Sequence, residues 1–420
     1  MTHQPYASLQ LREFRLYLLG RLCLTMAWQM QGVIVSWQVY ELTKDAFALG
    51  LVGLSEAIPF ILICPLGGHA ADIISRKKLI IGFTVLYFLC AIALLVMSVS
   101  SAHSNLPLRT GYIYLVIGVT GVARSFLGPA IVSFLAQITP RHLYLNAVTW
   151  NSNVWHMAAV SGPAAGGLIY GFAGITASYS TVAALMLLSM ILFSFIRKKP
   201  MPKNEISGGV FENLTAGIRF VFKNQILIGA LGLDMLAVFF GGAAAMLPVF
   251  AADILHTGPE GLGILRAAPF AGSVLMGLIL AHQPPMKRAG RNLILAFVGF
   301  GICTICFALS KNFFLSLFLL FLTGAFDNIS VIVRGTVLQL LTPDHLRGRV
   351  TSVNNIFIGS SNELGAFESG TAAKLLGLIP SVVFGGVMTI AIAGIAAWKA
   401  PALWKLNLRK LQSMPASPGS

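Results

Sequence analysis

The sequence predicts an all-α polytopic membrane protein, with twelve transmembrane helices in two pseudo-symmetric six-helix halves. Three observations carry that prediction: an apolar composition, a dozen apolar stretches long enough to cross a bilayer, and an internal repeat. Of the 420 residues, 56% are hydrophobic and 10% charged, with a mean hydropathy of +0.80. A water-soluble domain carries about 25% charged residues, so most of this chain has no face to offer water. A helix needs about 20 apolar residues to cross the hydrocarbon core, whereas barrel strands would show short alternating segments.

The apolar stretches run over 16–40, 47–70, 79–99, 111–137, 148–171, 175–196, 223–252, 260–283, 292–310, 313–340, 351–373 and 380–398. The amino terminus is polar and the first stretch runs on too far for a removable leader, so no cleavable secretory signal is expected. The formal charge of +15 sits in alternate loops. One set holds Arg76, Lys77 and Lys78, then Arg141, Arg197, Lys198 and Lys199, then Lys287, Arg288, Arg291, Arg347 and Arg349. The other set holds only Lys44, Arg109, Lys311 and Lys374. The positive-inside rule then puts both termini in the cytoplasm, and the basic charge implies topology rather than a nucleic-acid partner. All five cysteines fall inside apolar spans. The Cys303-x-x-Cys306 spacing lies in an uninterrupted apolar helix, where it reads as packing rather than metal or redox chemistry. No metal or cofactor is expected.

The halves are assigned as 1–197 and 223–400, with a 401–420 cytoplasmic tail and a 198–222 linker between them. The linker opens polar, and then Phe211, Leu214, Ile218 and Val221 recur at helical spacing. That pattern predicts an amphipathic helix on the cytoplasmic membrane surface. An offset of 203 carries Thr139, Pro140, His142 and Leu143 onto Thr342, Pro343, His345 and Leu346. It also carries Gly121, Asn151, Gly162 and Gly167 onto Gly324, Asn354, Gly365 and Gly370. Earlier in each half an offset of 210 carries Gly53, Ala57, Pro59 and Phe60 onto Gly263, Ala267, Pro269 and Phe270. Two six-helix halves follow.

A charge within a membrane span costs at least a few kcal/mol unless it faces protein or water. The third, sixth, ninth and twelfth spans carry none and are free to face lipid. Of the others, all but the fifth carry charge, among them Arg21, Glu56, Arg124, Asp234, Arg266, Asp327, Arg334, Glu363 and Glu368. Arg21 lies near a helix end, from which it can snorkel. Under the two offsets Arg124 falls on Asp327 and Glu56 on Arg266, so opposite charges occupy matching depths in the two halves. Either they are ion pairs holding the protein together, or they are groups that a proton or substrate uncouples. On the second reading Asp327 is a proton-responsive carboxylate coupled to Arg124, with Asp234 next in line.

Between the second and third spans the chain reads Gly68-His-Ala-Ala-Asp72-Ile-Ile-Ser-Arg76-Lys77-Lys78. This resembles the loop signature of the major facilitator superfamily, G-x-x-x-D-(R/K)-x-G-(R/K)-(R/K)-(R/K), with Ile73 and Ser75 departing from it. The resemblance implies a cytoplasmic gate in which Asp72 accepts from a neighbouring helix end and Arg76 pairs with acidic groups across the halves, with Arg347 and Arg349 in the corresponding later loop. Gly162-Pro163-Ala-Ala-Gly166-Gly167 resembles the superfamily's antiporter motif, whose core is G-P-x-x-G-G. Its small residues let helices approach closely, and its proline loosens the local ladder. In the second half Gly365-Ala-Phe-Glu368-Ser-Gly370 drops the proline and adds a carboxylate. Arg124-Ser-Phe-Leu-Gly128 is similar to the R-x-x-Q-G proton-transfer motif, with Leu127 in place of glutamine. Gly128-Pro129-Ala130, Thr139-Pro140, Arg347-Gly348-Arg349 and Asn362-Glu363-Leu364-Gly365 together resemble the enterobactin-exporter and macrolide-efflux branch.

What this implies is a proton-driven, alternating-access exporter of a siderophore or drug-like compound in the bacterial inner membrane. Its expected partners are a small-molecule substrate, protons and lipids, and the expected state is a monomer. Proton-coupled uptake or facilitated diffusion is the neighbouring reading. A membrane-embedded enzyme is the different class, and the chain lacks H-E-x-x-H, G-x-S-x-G and G-x-x-x-x-G-K-(S/T). Trp28, Met30, Trp37, Phe239 and Met246 suit a bulky apolar ligand and equally suit ordinary packing.

Overall fold

The computed structural model describes residues 6–99, 106–199, 210–284 and 286–409, which are helical almost throughout and contain no strand. In chain order the helices are α1 (Arg12–Thr43), α2 (Ala46–Ile73), α3 (Arg76–Val99), α4 (Leu106–Ile138), α5 (Tyr144–Ser194), α6 (Val210–Lys223) and α7 (Gln225–Phe240). They continue with α8 (Ala243–Val249), which runs into a π-helical turn at Phe250–Ile254, then α9 (Pro259–Ala281), α10 (Ala289–Leu309), α11 (Phe313–Leu341), α12 (Asp344–Leu376), α13 (Leu378–Lys399) and α14 (Pro401–Trp404).

Ten of these, with Gln225–Ile254 taken as one, are long and apolar enough to cross a membrane. At 51 residues α5 is far longer than one crossing requires. Gly174, at φ 80° and ψ 176°, breaks it into two arms, a backbone conformation open essentially to glycine alone. The 33-residue α12 falls outside the apolar group because it carries Asn354, Asn355, Asn362, Glu363 and Glu368. With the second arm of α5 and α12 added to these ten, the described helices are consistent with twelve crossings. Between the crossings, polar side chains satisfy free helix-start amides. Asp45 accepts from Phe47 N at 2.9 Å, Asn224 from Ile226 N at 3.0 Å, and Asn312 from Leu315 N at 3.1 Å. Leu62, Leu115, Phe172 and Phe314 lie exposed on the helix surfaces, as expected where the surrounding solvent is hydrocarbon.

The chain divides into two compact units, Met1–Ser207 with Leu247–Ala267, and Gly208–Met246 with Ala268–Ser420. The segment Leu247–Ala267, which follows the linker in sequence, thus packs with the first unit. In that unit α1 lies on α5, and α4 on α2 and α3. Its core is aromatic at one end, where Tyr17 sits 6.3 Å from Phe14, 6.3 Å from Phe134 and 6.1 Å from Phe193 between ring centroids. The Tyr17 hydroxyl is satisfied by Asn151 Oδ1 at 3.1 Å. In the second unit α10 packs on α11 and α13, and α12 on α6, α7 and α13, over a core that includes Leu227, Leu231, Leu293, Phe297, Val333 and Val337.

Three details depart from the sequence expectations. The seventh span is interrupted at Gly241–Gly242, where α7 ends and α8 begins. The amphipathic helix exists as α6, but Gly217 lies against the Arg349 backbone and Val221 is fully buried, so one face packs on α12 while Ile218 and Phe222 stay exposed. The Phe211 and Leu214 side chains lie outside the described residues. The 401–420 segment begins as part of the second core, with Leu403, Leu406 and Leu408 buried.

Candidate functional site

Each unit places an ion pair between two of its membrane-spanning helices. In the first, Gly121 brings α4 against the backbone of Glu56 on α2, where a Cβ would collide with the Glu56 carbonyl. That close approach puts Arg124 Nη1 3.0 Å from Glu56 Oε1. The guanidinium also lies 4.7 Å from the Trp28 ring centroid and 5.0 Å from that of Phe60. Carboxylate and ring faces together offset the loss of water around this cation.

In the second unit Asp234 of α7 pairs with Arg334 of α11, at 3% and 7% exposure. Ser330 donates to Asp234 Oδ1 at 2.9 Å. Asp327, Ser330 and Arg334 are three and four residues apart on α11, so they share one helix face. Glu363 and Glu368 are half-buried on α12, and Ser369 Oγ lies 3.5 Å from Glu368 Oε2.

Within its own unit Arg124 is held by Glu56, and Arg334 by Asp234. Matching depths across a pseudo-two-fold say nothing about which neighbour a charge meets, and the close α2–α4 contact at Gly121 decides it. Arg266, the counterpart of Glu56, instead donates to Gly32 O at 3.1 Å and Ser36 Oγ at 3.2 Å on α1. The same unit holds bonds from α1 that the sequence did not single out. Tyr40 donates to Asp253, Tyr170 to Glu41 at 2.7 Å, and Tyr179 to Gln38 at 2.5 Å. Their only sequence signal is polar Gln38 and Glu41 at the end of an otherwise apolar span.

The antiporter-motif glycines are contact points. A Cβ at Gly162 would meet Gln29 and Met26, one at Gly166 would meet Met30, and one at Gly167 would run into Pro259 and Gly263. Pro163 is buried between them, and its carbonyl faces Gly263. In the second unit Gly365 lies against the backbone of Phe239.

Within the first unit the loop signature is tied down by hydrogen bonds to backbone carbonyls. Arg76 donates to Ala71 O at 3.2 Å and Ser133 O at 3.0 Å, and Lys77 to Ser194 O at 2.8 Å and Ile196 O at 2.5 Å. These cations cap carbonyls at helix ends within the first unit, where the helix dipole favours positive charge. Asp72 and Lys78 are exposed, and Gly68 has open space around it. Arg349 is half-buried on α12, and the side chain of Arg347 lies outside the described residues.

Residues 3–418 match the family described as transmembrane secretion effector. This chain belongs to that family, within the major facilitator superfamily. Relatives of this chain include the enterobactin exporter EntS of Shigella dysenteriae, 26% identical over 352 residues that cover 81% of this chain and 80% of the relative. The enterobactin exporter EntS of Citrobacter koseri is 24% identical over 408 residues, covering 92% of this chain and 94% of that one. Among solved structures, a POT family transporter in complex with a thioalcohol-conjugated peptide superposes with a TM-score of 0.73 at 13% identity, covering 93% of this chain and 96% of that one. A second POT peptide-transporter structure gives 0.71 at 12% identity, covering 94% and 95%. At such identities the likeness is one of fold. The protein is a multi-pass membrane transporter, and among its described residues no group of three His, Cys, Asp or Glu is placed to hold a metal.

Proposed function

We propose that this secretion effector exports a small molecule, siderophore or drug-like in character, across the bacterial cytoplasmic membrane by proton antiport with alternating access. The observation that carries the reading is the buried Asp234–Arg334 pair with Ser330 between Asp234 and the Asp327 turn of α11. An ionisable group deep in a membrane bundle is costly and persists where a function uses it. A proton arriving at Asp327 sits one helical turn from the serine that holds Asp234, so protonation and the geometry of the pair are linked. Glu368, Glu363 and the Arg124–Glu56 pair are the remaining candidates for coupling.

Export rather than uptake is supported by the G-P-x-x-G-G packing at Gly162–Gly167 and by relatives named enterobactin exporters that span most of the chain. The loop charges support cytoplasmic termini. Protons, the substrate and membrane lipids are the partners of a monomer in this reading.

The test is reconstitution in liposomes with a pH gradient as the only energy source. Asp327→Asn should abolish accumulation while substrate still binds. Accumulation that persists in Asp327→Asn removes this residue from the coupling role and moves the test to Asp234 and Glu368. A deletion strain should lose either drug tolerance or siderophore in its medium, and a strain that loses neither refutes the proposed cargo.

A further inference from the structure

The second unit carries a basic site with no counter-charge among the described residues. At the corner where α9 gives way to α10, Lys287, Arg288 and Arg291 line an open cleft of about 390 Å³ together with Trp404, Lys405 and Leu406 of the C-terminal segment. The segment is fastened over this corner by Leu408 N to Met286 O at 3.2 Å and Gly290 N to Leu406 O at 3.4 Å, so the cleft is built rather than incidental. Not one of the four cations makes a hydrogen bond or ion pair through its side chain among the described residues. The Nε of Arg291 is buried with no hydrogen-bond partner. No Asp or Glu occurs in 282–298 or 398–409.

Two physical facts make this arrangement unfavourable as it stands. Four like charges share one cleft, and three of them sit at the start of the 21-residue α10, the positive end of a helix dipole. The first unit shows what the same corner looks like when satisfied. The 210 offset carries Lys77 and Lys78 onto Lys287 and Arg288, and Asp72 onto His282. In the first copy Lys77 donates to two carbonyls at the end of α5, whereas Lys287 in the second is exposed and unbonded. The second copy has thus kept two cations while losing the carboxylate and the carbonyl partners.

We propose that this cleft binds a phosphate-bearing anion, and that the anion is the headgroup of an acidic phospholipid. Several cations around a helix start fit a phosphate. Half-exposed Trp404 beside them is the side chain favoured at the membrane–water boundary, where such headgroups lie. Basic clefts at helix ends on that boundary recognise acidic lipids. The site is independent of cargo and of proton coupling, so it stands or falls separately from the export reading.

The experiment uses the full-length protein purified in neutral detergent, titrated with phosphatidylglycerol, phosphatidylcholine or inorganic phosphate and read by native mass spectrometry. Phosphatidylglycerol should bind at least tenfold more tightly than phosphatidylcholine. Each basic side chain at a lipid surface contributes roughly fivefold, so Lys287→Gln/Arg288→Gln should weaken phosphatidylglycerol by about thirtyfold. The charge-preserving Lys287→Arg/Arg288→Lys should keep it, as should Lys311→Gln/Lys374→Gln in the opposite loops. Equal binding of the two lipids by the wild type overturns the proposal, and that comparison needs no variant to fold. Undiminished phosphatidylglycerol binding by the double glutamine variant also overturns it. Saturable inorganic phosphate binding that phosphatidylglycerol fails to displace overturns the lipid assignment in favour of a free anion.

Discussion

Arg334 and Asp234 show why a single substitution and a paired one should behave differently. Arg334→Leu strands a carboxylate among apolar helices, and losing one member of a buried pair costs about 3–5 kcal/mol. Asp234→Leu/Arg334→Leu removes both charges and should recover most of that loss, because apolar replacement of a whole buried pair is close to neutral. Thermal unfolding of the two purified variants checks this, and equal melting temperatures contradict it. The first unit offers a sharper comparison. Glu56→Arg/Arg124→Glu preserves the pairing seen at 3.0 Å and should insert and fold. Arg124→Asp/Asp327→Arg sets a new acid opposite Glu56 and should fold poorly. The opposite ranking in folded yield favours the Arg124–Asp327 coupling that the sequence repeat pointed to.

At the scale of elements, two glycines do the same work in the two units. Gly174, at φ 80°, divides the arms of α5, and Gly377, at φ 90°, separates α12 from α13. They are related by the same 203-residue offset as the rest of the repeat. A side chain at either position meets backbone strain of about 1–3 kcal/mol. Gly174→Ala and Gly377→Ala should therefore both lower the melting temperature. Gly82→Ala, in an open mid-helix position of α3, should leave it level or raise it. A Gly377→Ala protein as stable as Gly82→Ala rules out strain at this turn. Span limits were legible in the sequence because apolar length is additive along the chain, and the turn at 174 lies in the gap between two predicted spans. The break at Gly241–Gly242 was not, since two glycines inside an apolar run read equally as packing. The ion pairs were half legible. Residue type and depth marked Glu56, Arg124, Asp234 and Arg334, but helical periodicity fixes a face and not the neighbour it meets. Tyr40 and Asp253 were missed for that reason, being distant in sequence and ordinary alone.

For the whole molecule, topology is the first thing to measure. Reporter fusions after Lys199 and at the carboxyl terminus should both report the cytoplasm, and one outside signal breaks the even count of crossings. Asp72→Asn and Arg76→Ala should leave the protein inserted yet slow in export. For Arg76 the cause is loss of its grip on the Ser133 carbonyl, bonded at 3.0 Å. Export at the wild-type rate in both variants ends the gating role. The composition of the first compact unit also bears on how the protein is made. Its packing includes Leu247–Ala267, so Gly167 has no Gly263 to rest on, and Tyr40 no Asp253, until that stretch leaves the ribosome. At about 5–20 residues per second, the sixty residues after Ser207 take roughly 3–12 s to synthesise. Through that interval the first six crossings wait in the bilayer with a polar seam uncovered, a window in which a membrane chaperone or a quality-control protease can act on the nascent chain.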